Sequence, residues 1–501
     1  MILNHRARSA ILAVSFTLLA AIYGVAWFAP TVTADHDSGL NLMLAKALAA
    51  GHGYVRDNLP EPVPETQTAP VFPALLALFT MVSAQAQWLK LLPLGCALGW
   101  LWLTRRLLLR MGASLDSALL LVGLTAVSPA VVFLSTSLLA ESLFALLVTA
   151  ALLKLLEDKP LLAGGLAGLA TLTLVAGAPL IATCIVVFAV RGRFRSALIF
   201  TAVAMVIVAP WFGWSLAHLT RATWLNANDR VATNIITGFP AGLPPNEKLV
   251  VVTRNLVSLF GSPIELLTGF RSIYAAGATA LVAIWCIFIR RQLVPDIFVW
   301  LYGFTLLFFV WPPQRLTVAV LPLVFWIAWR AWSQLRNREA VAALVLIAAG
   351  LALWADGIRV PAVFTSGVFP ETAEAGNDWH QMQRVLAFLT EKTSPGSVLL
   401  ANSDAEFYVR TGRKTVRGFT PDGYRLFYTE RQSTVTPDQI SSAILQAQVN
   451  YVVLTPDRNQ AESSSFHRAV EALERGGVLR PVEMPGVLPE YRLLHVNSAG
   501  F

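Results

Sequence analysis

The feature that most constrains this chain is a series of long apolar runs separated by short clusters of arginine. Arg105, Arg106 and Arg110 form one cluster, and Arg191, Arg193 and Arg195 a second. Arg290 and Arg291 form a third, and Arg336 and Arg338 the last. Apolar segments of near-bilayer length predict a polytopic α-helical membrane protein, because only helices and closed barrels satisfy their own backbone in lipid. Of the 501 residues, 55% are hydrophobic and 14% charged, too little charge to disperse a soluble domain of this size. The net charge of +8 is therefore an orientation signal and not a nucleic-acid one. Cys96, Cys184 and Cys286 all lie inside apolar runs, so the expected fold depends on no disulfide.

Placing the arginine clusters in the cytoplasm predicts about eleven spans. They are Ala10–Ala29, Trp88–Leu103, Leu119–Leu134, Ser142–Leu156, Leu161–Val175, Pro179–Val190, Ala197–Ser215, Ile273–Ile289, Val294–Trp311, Leu316–Trp332 and Val341–Trp354. The first run is long for a signal core, so it is expected to stay uncleaved, with Arg6 and Arg8 holding its start inside. Two long external segments result, an acidic loop over 31–86 and a second loop over Ala217–Arg271. Val71–Val82 is short for a crossing and is read as a second surface helix. Residues 1–356 thus form the transmembrane domain. Residues 357–501 are charged and turn-rich, and read as an external α/β domain. Its helices are "DWHQMQRVLAFLTEKT", "DAEFYVRTG" capped by Gly412, and "SSFHRAVEALERGG"; its strands are "GSVLLANS", "NYVVLTP" and "YRLLHV".

Chemistry concentrates in Thr33–Val55, where Asp35, His36 and Asp37 follow the first span directly. Leu40, Met43, Leu44, Ala47 and Leu48 recur at helical spacing, a stripe expected to lie in the membrane interface until Gly51 ends the helix. Asp37 could cap a helix beginning at Ser38, or take a proton from an attacking hydroxyl; the two roles are compatible. Glu141 is either an acid favoured by a helix N-terminus or a second carboxylate facing the same external cavity. Arg315 stands at an outer span mouth, against the positive-inside pattern, and so needs an anion: a lipid headgroup, or the phosphate of a substrate. His36 and His52 read as surface residues, with a metal held by Asp35, His36 and His52 as the lesser alternative.

In this order the features resemble the GT-C membrane glycosyltransferases, particularly bacterial relatives of protein mannosyltransferases and the lipid A aminoarabinose transferase. The matching stretches are Asp37 with "LAKALAAGHGYV", then "TAPVFPALLAL", "LAESLFALLVTAALL", "PPQRLTVAVLPL", "LLANSDAEFYVRTGRKTV" and "YVVLTP". They cover nearly the whole chain, though each is short and degenerate. Where relatives often carry an arginine–proline turn this chain has "TLVAGAP", which puts donor contacts there in doubt. The resemblance implies a polyprenyl-phosphate-linked sugar donor in the inner membrane and a lipid, glycan or protein acceptor outside it. It implies a single inverting displacement with Asp37 as base, Asp35 and Glu141 as further catalytic carboxylates, and Arg315, Lys46 and His52 as substrate-binding residues. The resemblance fixes no cofactor; Arg315, or a bound divalent metal, would offset the charge growing on the leaving phosphate. Two other classes compete. A secondary transporter would place ionisable groups mid-span at a repeat interface, whereas these span interiors carry almost no charge. A non-catalytic envelope scaffold or sensor would leave the acidic loop incidental. Consumption of a polyprenyl-phosphate sugar separates the three.

Overall fold

The computed structural model describes residues 5–31, 36–218, 244–268, 277, 279, 292–309, 313–333, 338–370, 378–419, 428, 435–456 and 460–497. Asp35, Cys286 and nearly all of the expected span Ile273–Ile289 lie outside them. The chain opens with α1 (His5–Phe28) and α2 (His36–Ala49), followed by a small hairpin of β1 (Val55–Arg56) and β2 (Val63–Pro64). Then come α3 (Val71–Thr80), α4 (Ala86–Arg110), α5 (Leu115–Ala126), α6 (Pro129–Ser135), α7 (Glu141–Leu156), α8 (Pro160–Thr171), α9 (Ala178–Val190) and α10 (Phe194–His218). After these stand α11 (Pro245–Thr268), α12 (Leu293–Leu306), the short α13 (Gln314–Thr317), α14 (Leu321–Ser333) and α15 (Arg338–Ser366).

Among the described helices, α10, α11 and the Val345–Ser366 part of α15 are long and apolar enough to cross a bilayer alone. Helices α5 and α6 could supply one more crossing as a broken pair, bent by 69°. The expected straight span Leu119–Leu134 is thus broken, because Pro129 lacks an N–H and drives Ser128 out of helical geometry. The second external loop also differs from expectation, since residues 245–268 form the continuous helix α11. Glu247, Lys248, Arg254, Pro263 and Glu265 dilute its apolar pattern enough to make it read as loop. Helix α3, at ten residues, is about 15 Å long and reaches half the thickness of a bilayer core. It packs on α2 and α4 through Phe72, Leu76 and Ala77.

The C-terminal part carries α16 (Trp379–Lys392), β3 (Leu399–Ala401), α17 (Asp404–Thr411), β4 (Thr415–Val416), α18 (Pro437–Ala447), β5 (Tyr451–Leu454), α19 (Gln460–Arg475), β6 (Leu479–Val482) and β7 (Arg492–Val496). The strands form one mixed sheet, ordered β4-β3-β5-β7-β6. β3 is parallel to β4 and β5, and β7 antiparallel to β5 and β6. Residues from α18 and α19 cover one face, including Ile440, Ile444, Phe466 and Val470. Trp379, Met382, Val385 and Leu389 of α16 cover the other. Local chemistry supports these boundaries. Asp378 caps α16, Gly412 ends α17 at φ +69°, and Thr436 with Gln439 makes a reciprocal capping box on α18.

The open edge of β4 is closed by the loop that follows α2. Thr415 N donates to Asn58 O at 2.7 Å, and Asn58 Nδ2 donates back to Thr415 O at 3.0 Å. Loop and C-terminal domain therefore share one side of any membrane the chain crosses, and the chain between them crosses it an even number of times.

Candidate functional site

Helix α2 is the hinge of the architecture, and it does not lie in a lipid interface as its stripe predicted. Leu40, Met43 and Leu44 pack against Ala405 of α17, while Leu42 and Ala45 pack against α3, α4 and the start of α7. Apolar residues surround the helix, so it is buried between the membrane helices and the C-terminal domain. Gly39 permits the close approach, since a Cβ there would stand 3.2 Å from the backbone N of Glu406.

This sandwich aims the first turn of α2 at a cluster of charges. The helix begins at His36, so Asp37 stands inside its first turn and is not the cap expected ahead of Ser38. Glu141 opens α7, and Arg315 sits on α13 after Pro313. Arg315 Nη2 and Nε donate to Glu141 Oε1 at 2.8 and 3.2 Å, and Nη1 donates to Asp37 Oδ2 at 3.2 Å. Both carboxylates occupy helix N-terminal turns, where the backbone dipole favours negative charge. The Asp37 side chain is 59% exposed, the Glu141 side chain 9%, and that of Arg315 27%. One carboxylate is thus exposed while the other is buried against the guanidinium.

Neighbouring contacts hold the geometry. Asn41, one turn beyond Asp37, is buried and donates to Leu138 O (3.0 Å), three residues ahead of Glu141. Ser142 Oγ donates to Leu134 O, and Tyr302 OH donates to Leu316 O beside Arg315. Sequence reasoning passed over Asn41. Its signal was a lone amide in an apolar helix, at i+4 from the candidate base.

Lys46 and His52 are not brought to this cluster. Lys46 stands nine residues beyond Asp37, about 13–14 Å along α2, and donates to Val409 O (3.1 Å) in α17. Burial and the nearby Arg410 lower its pKa. His52 Nδ1 pairs with Asp57 Oδ2 at 3.0 Å. That carboxylate also accepts from Tyr408 OH (2.7 Å) and Lys414 Nζ (3.2 Å) of the C-terminal domain. Burial raises the Asp57 pKa, but hydrogen bonds from Tyr408, His52 and Lys414 outweigh it and hold the carboxyl below its ordinary value. Both residues therefore serve the seam between loop and domain. Asp35 lies outside the described residues, as does the side chain of His36. Among the described residues no three His, Cys, Asp or Glu side chains gather as metal ligands.

No family model matches this chain, and no curated protein matches it. Solved structures do. ArnT from Cupriavidus metallidurans bound to undecaprenyl phosphate aligns with a TM-score of 0.61, over 98% of this chain and 99% of that one, at 14% identity. The same protein in its apo state aligns with a TM-score of 0.50, over 97% and 98%, at 14% identity. The fold is that of ArnT, a GT-C structure, from the first helix through the C-terminal sheet.

Proposed function

We propose that this chain is a glycosyltransferase that moves a sugar from a polyprenyl-phosphate-linked donor to an external acceptor hydroxyl or amine. The observation that carries this reading is the meeting of Asp37, Glu141 and Arg315, residues up to 278 positions apart, at one end of α2 in a chain with the ArnT fold. The solved ArnT structure holds undecaprenyl phosphate, and a guanidinium suits such a phosphate because it offers a planar fork of N–H donors.

In the proposed step the acceptor oxygen or nitrogen attacks the anomeric carbon as the bond from that carbon to the phosphate oxygen breaks. The acceptor's proton passes to Asp37, and the electron pair leaves with polyprenyl phosphate. Anomeric configuration inverts. Asp37 suits the role of base because its carboxylate is the more exposed of the two and so open to an incoming acceptor. Its contact with Arg315 is also the longer of the two carboxylate contacts, 3.2 Å against 2.8 Å, and so the one that yields when a phosphate competes for the guanidinium. Glu141 keeps its hold and orients Arg315 against the charge developing on the leaving group. Lys46 and His52 stand away from this cluster, Lys46 donating to Val409 O of the C-terminal domain and His52 pairing with Asp57 of the loop.

The test is direct. Purified protein is reconstituted with a panel of polyprenyl-phosphate sugars and candidate acceptors, and release of polyprenyl phosphate is followed together with sugar transfer. The reading requires release coupled to transfer from at least one donor. Failure across the panel, in protein that remains folded, returns the chain to the scaffold class.

A further inference from the structure

At the far end of α2 from Asp37, three cations gather where the C-terminal domain meets the ends of α1 and α4. Lys90 is fully buried and donates to Ala29 O at 2.7 Å, and to Ala26 O and Trp27 O at 3.4 Å, across the last turn of α1. Lys46 donates to Val409 O. The next residue, Arg410, lies over the Trp379 ring at 5.0 Å, and its charge acts on both lysines. Trp379 and Pro30 both come within 3.2 Å of where a Gly367 Cβ would stand, so the Trp–Arg stack sits against the end of α1 that Lys90 caps. None of these three cations forms an ion pair with a carboxylate among the described residues. Glu406, one turn behind Arg410, is the acid that acts on it electrostatically.

Three N–H donors in this cluster are buried with no acceptor among the described residues: Arg410 Nε, Arg410 Nη2 and Trp379 Nε1. Trp379 is only 5% exposed. Buried donors are nearly always satisfied in native folds, and a group of them on and beside an arginine, with Lys46 close by, is the arrangement an oxyanion completes. We propose that Lys46, Arg410 and Trp379 form a binding site for a phosphate group, beside the end of α1 that Lys90 holds and separate from Arg315. Either a membrane-lipid headgroup or free phosphate supplies such a group. The site is argued from these donors alone and does not rest on the transferase reading.

The test uses the full chain in neutral detergent, titrated with inorganic phosphate against sodium chloride of equal ionic strength, with thermal unfolding as readout. Native mass spectrometry of protein in nanodiscs of phosphatidylglycerol and phosphatidylcholine provides the lipid arm. Wild type should show a saturable, phosphate-specific rise in Tm, or retain phosphatidylglycerol that inorganic phosphate displaces. R410M and K46Q should each weaken the response at least ten-fold, while R315M should keep it. Retained lipid identifies a headgroup as the source, and a response to inorganic phosphate without retained lipid identifies free phosphate. No response in either arm overturns the site. A response that survives in K46Q, which alters a half-buried side chain and should fold, but disappears in R315M also overturns it, by assigning the phosphate to Arg315.

Discussion

Asp37→Asn should separate catalysis from stability. The Asp37 carboxylate is 59% exposed and stands 3.2 Å from Arg315 Nη1. An exposed ion pair of that kind contributes roughly 0.2–1 kcal/mol, and the favourable position at a helix N-terminus roughly 0.3–1 kcal/mol. Asparagine retains an oxygen acceptor, so the net loss of stability should be about 0.5–1.5 kcal/mol, a shift of a few degrees at most in a chain this long. Removing a general base costs roughly two to four orders of magnitude in rate, equivalent to about 3–5 kcal/mol in the barrier. The rate loss should therefore far exceed anything the stability loss explains. Polyprenyl phosphate release and thermal unfolding, measured on the same preparation, give both numbers. A variant within ten-fold of wild-type rate, on a donor and acceptor that wild type uses, refutes the assignment. A fall in Tm large enough to account for the lost activity refutes it equally.

Arg315→Lys keeps the charge but loses the fork that reaches both carboxylates, and should raise the KM for donor about ten-fold with a smaller change in kcat; an unchanged KM argues against a phosphate contact there. Asn58→Leu removes the donor to Asp404 Oδ2 (2.9 Å) and Thr415 O (3.0 Å), leaving buried acceptors unpaired at a cost of roughly 1–3 kcal/mol; limited proteolysis should then cleave the C-terminal domain faster. Because Asp57 is held below its ordinary value, its contribution is present above the unfolded-state value of about 3.9 and is lost as pH falls through the folded one. The seam should therefore hold between about pH 5 and 8 and loosen below about pH 4, seen as faster hydrogen exchange in α17. Single cysteines at the exposed Glu61 and Glu490 should both react with an impermeant thiol reagent in intact cells, and one at Arg195 only after lysis; labelling of Glu61 without Glu490 contradicts the shared side.

Individual charges were legible in the sequence, and their meeting was not. Asp37, Glu141 and Arg315 each stood out because an ionisable residue at a membrane edge needs a partner. Nothing in their spacing said that one guanidinium would reach both carboxylates, because that depends on how α2, α7 and α13 pack. The strands of the C-terminal sheet announced themselves as short apolar runs, except β4 and β6. Two residues such as Thr415 and Val416, or a strand carrying Arg480 and Pro481, hold too little pattern. The stripe on α2 was real, but hydropathy cannot tell burial in lipid from burial against a folded domain. Helix α11 escaped because four charged residues and a proline interrupt it. The orphan donors of Trp379 and Arg410 are likewise invisible without coordinates, since a tryptophan in the first turn of an amphipathic helix and an arginine within another are unremarkable by themselves.

The hydrogen bond by which Asn58 closes the edge of β4 joins residues 357 positions apart. At synthesis rates of roughly 5–20 residues per second, the loop waits roughly 20–70 s after emerging before its partner exists. During that interval α2 has the membrane helices on one side and nothing on the other, so the turn bearing Asp37 is held by half its contacts. Competence at this site is therefore acquired at the end of translation and not along the way. A chain that stops before β4 could insert every helix from α1 to α15 and still leave its acidic turn unset.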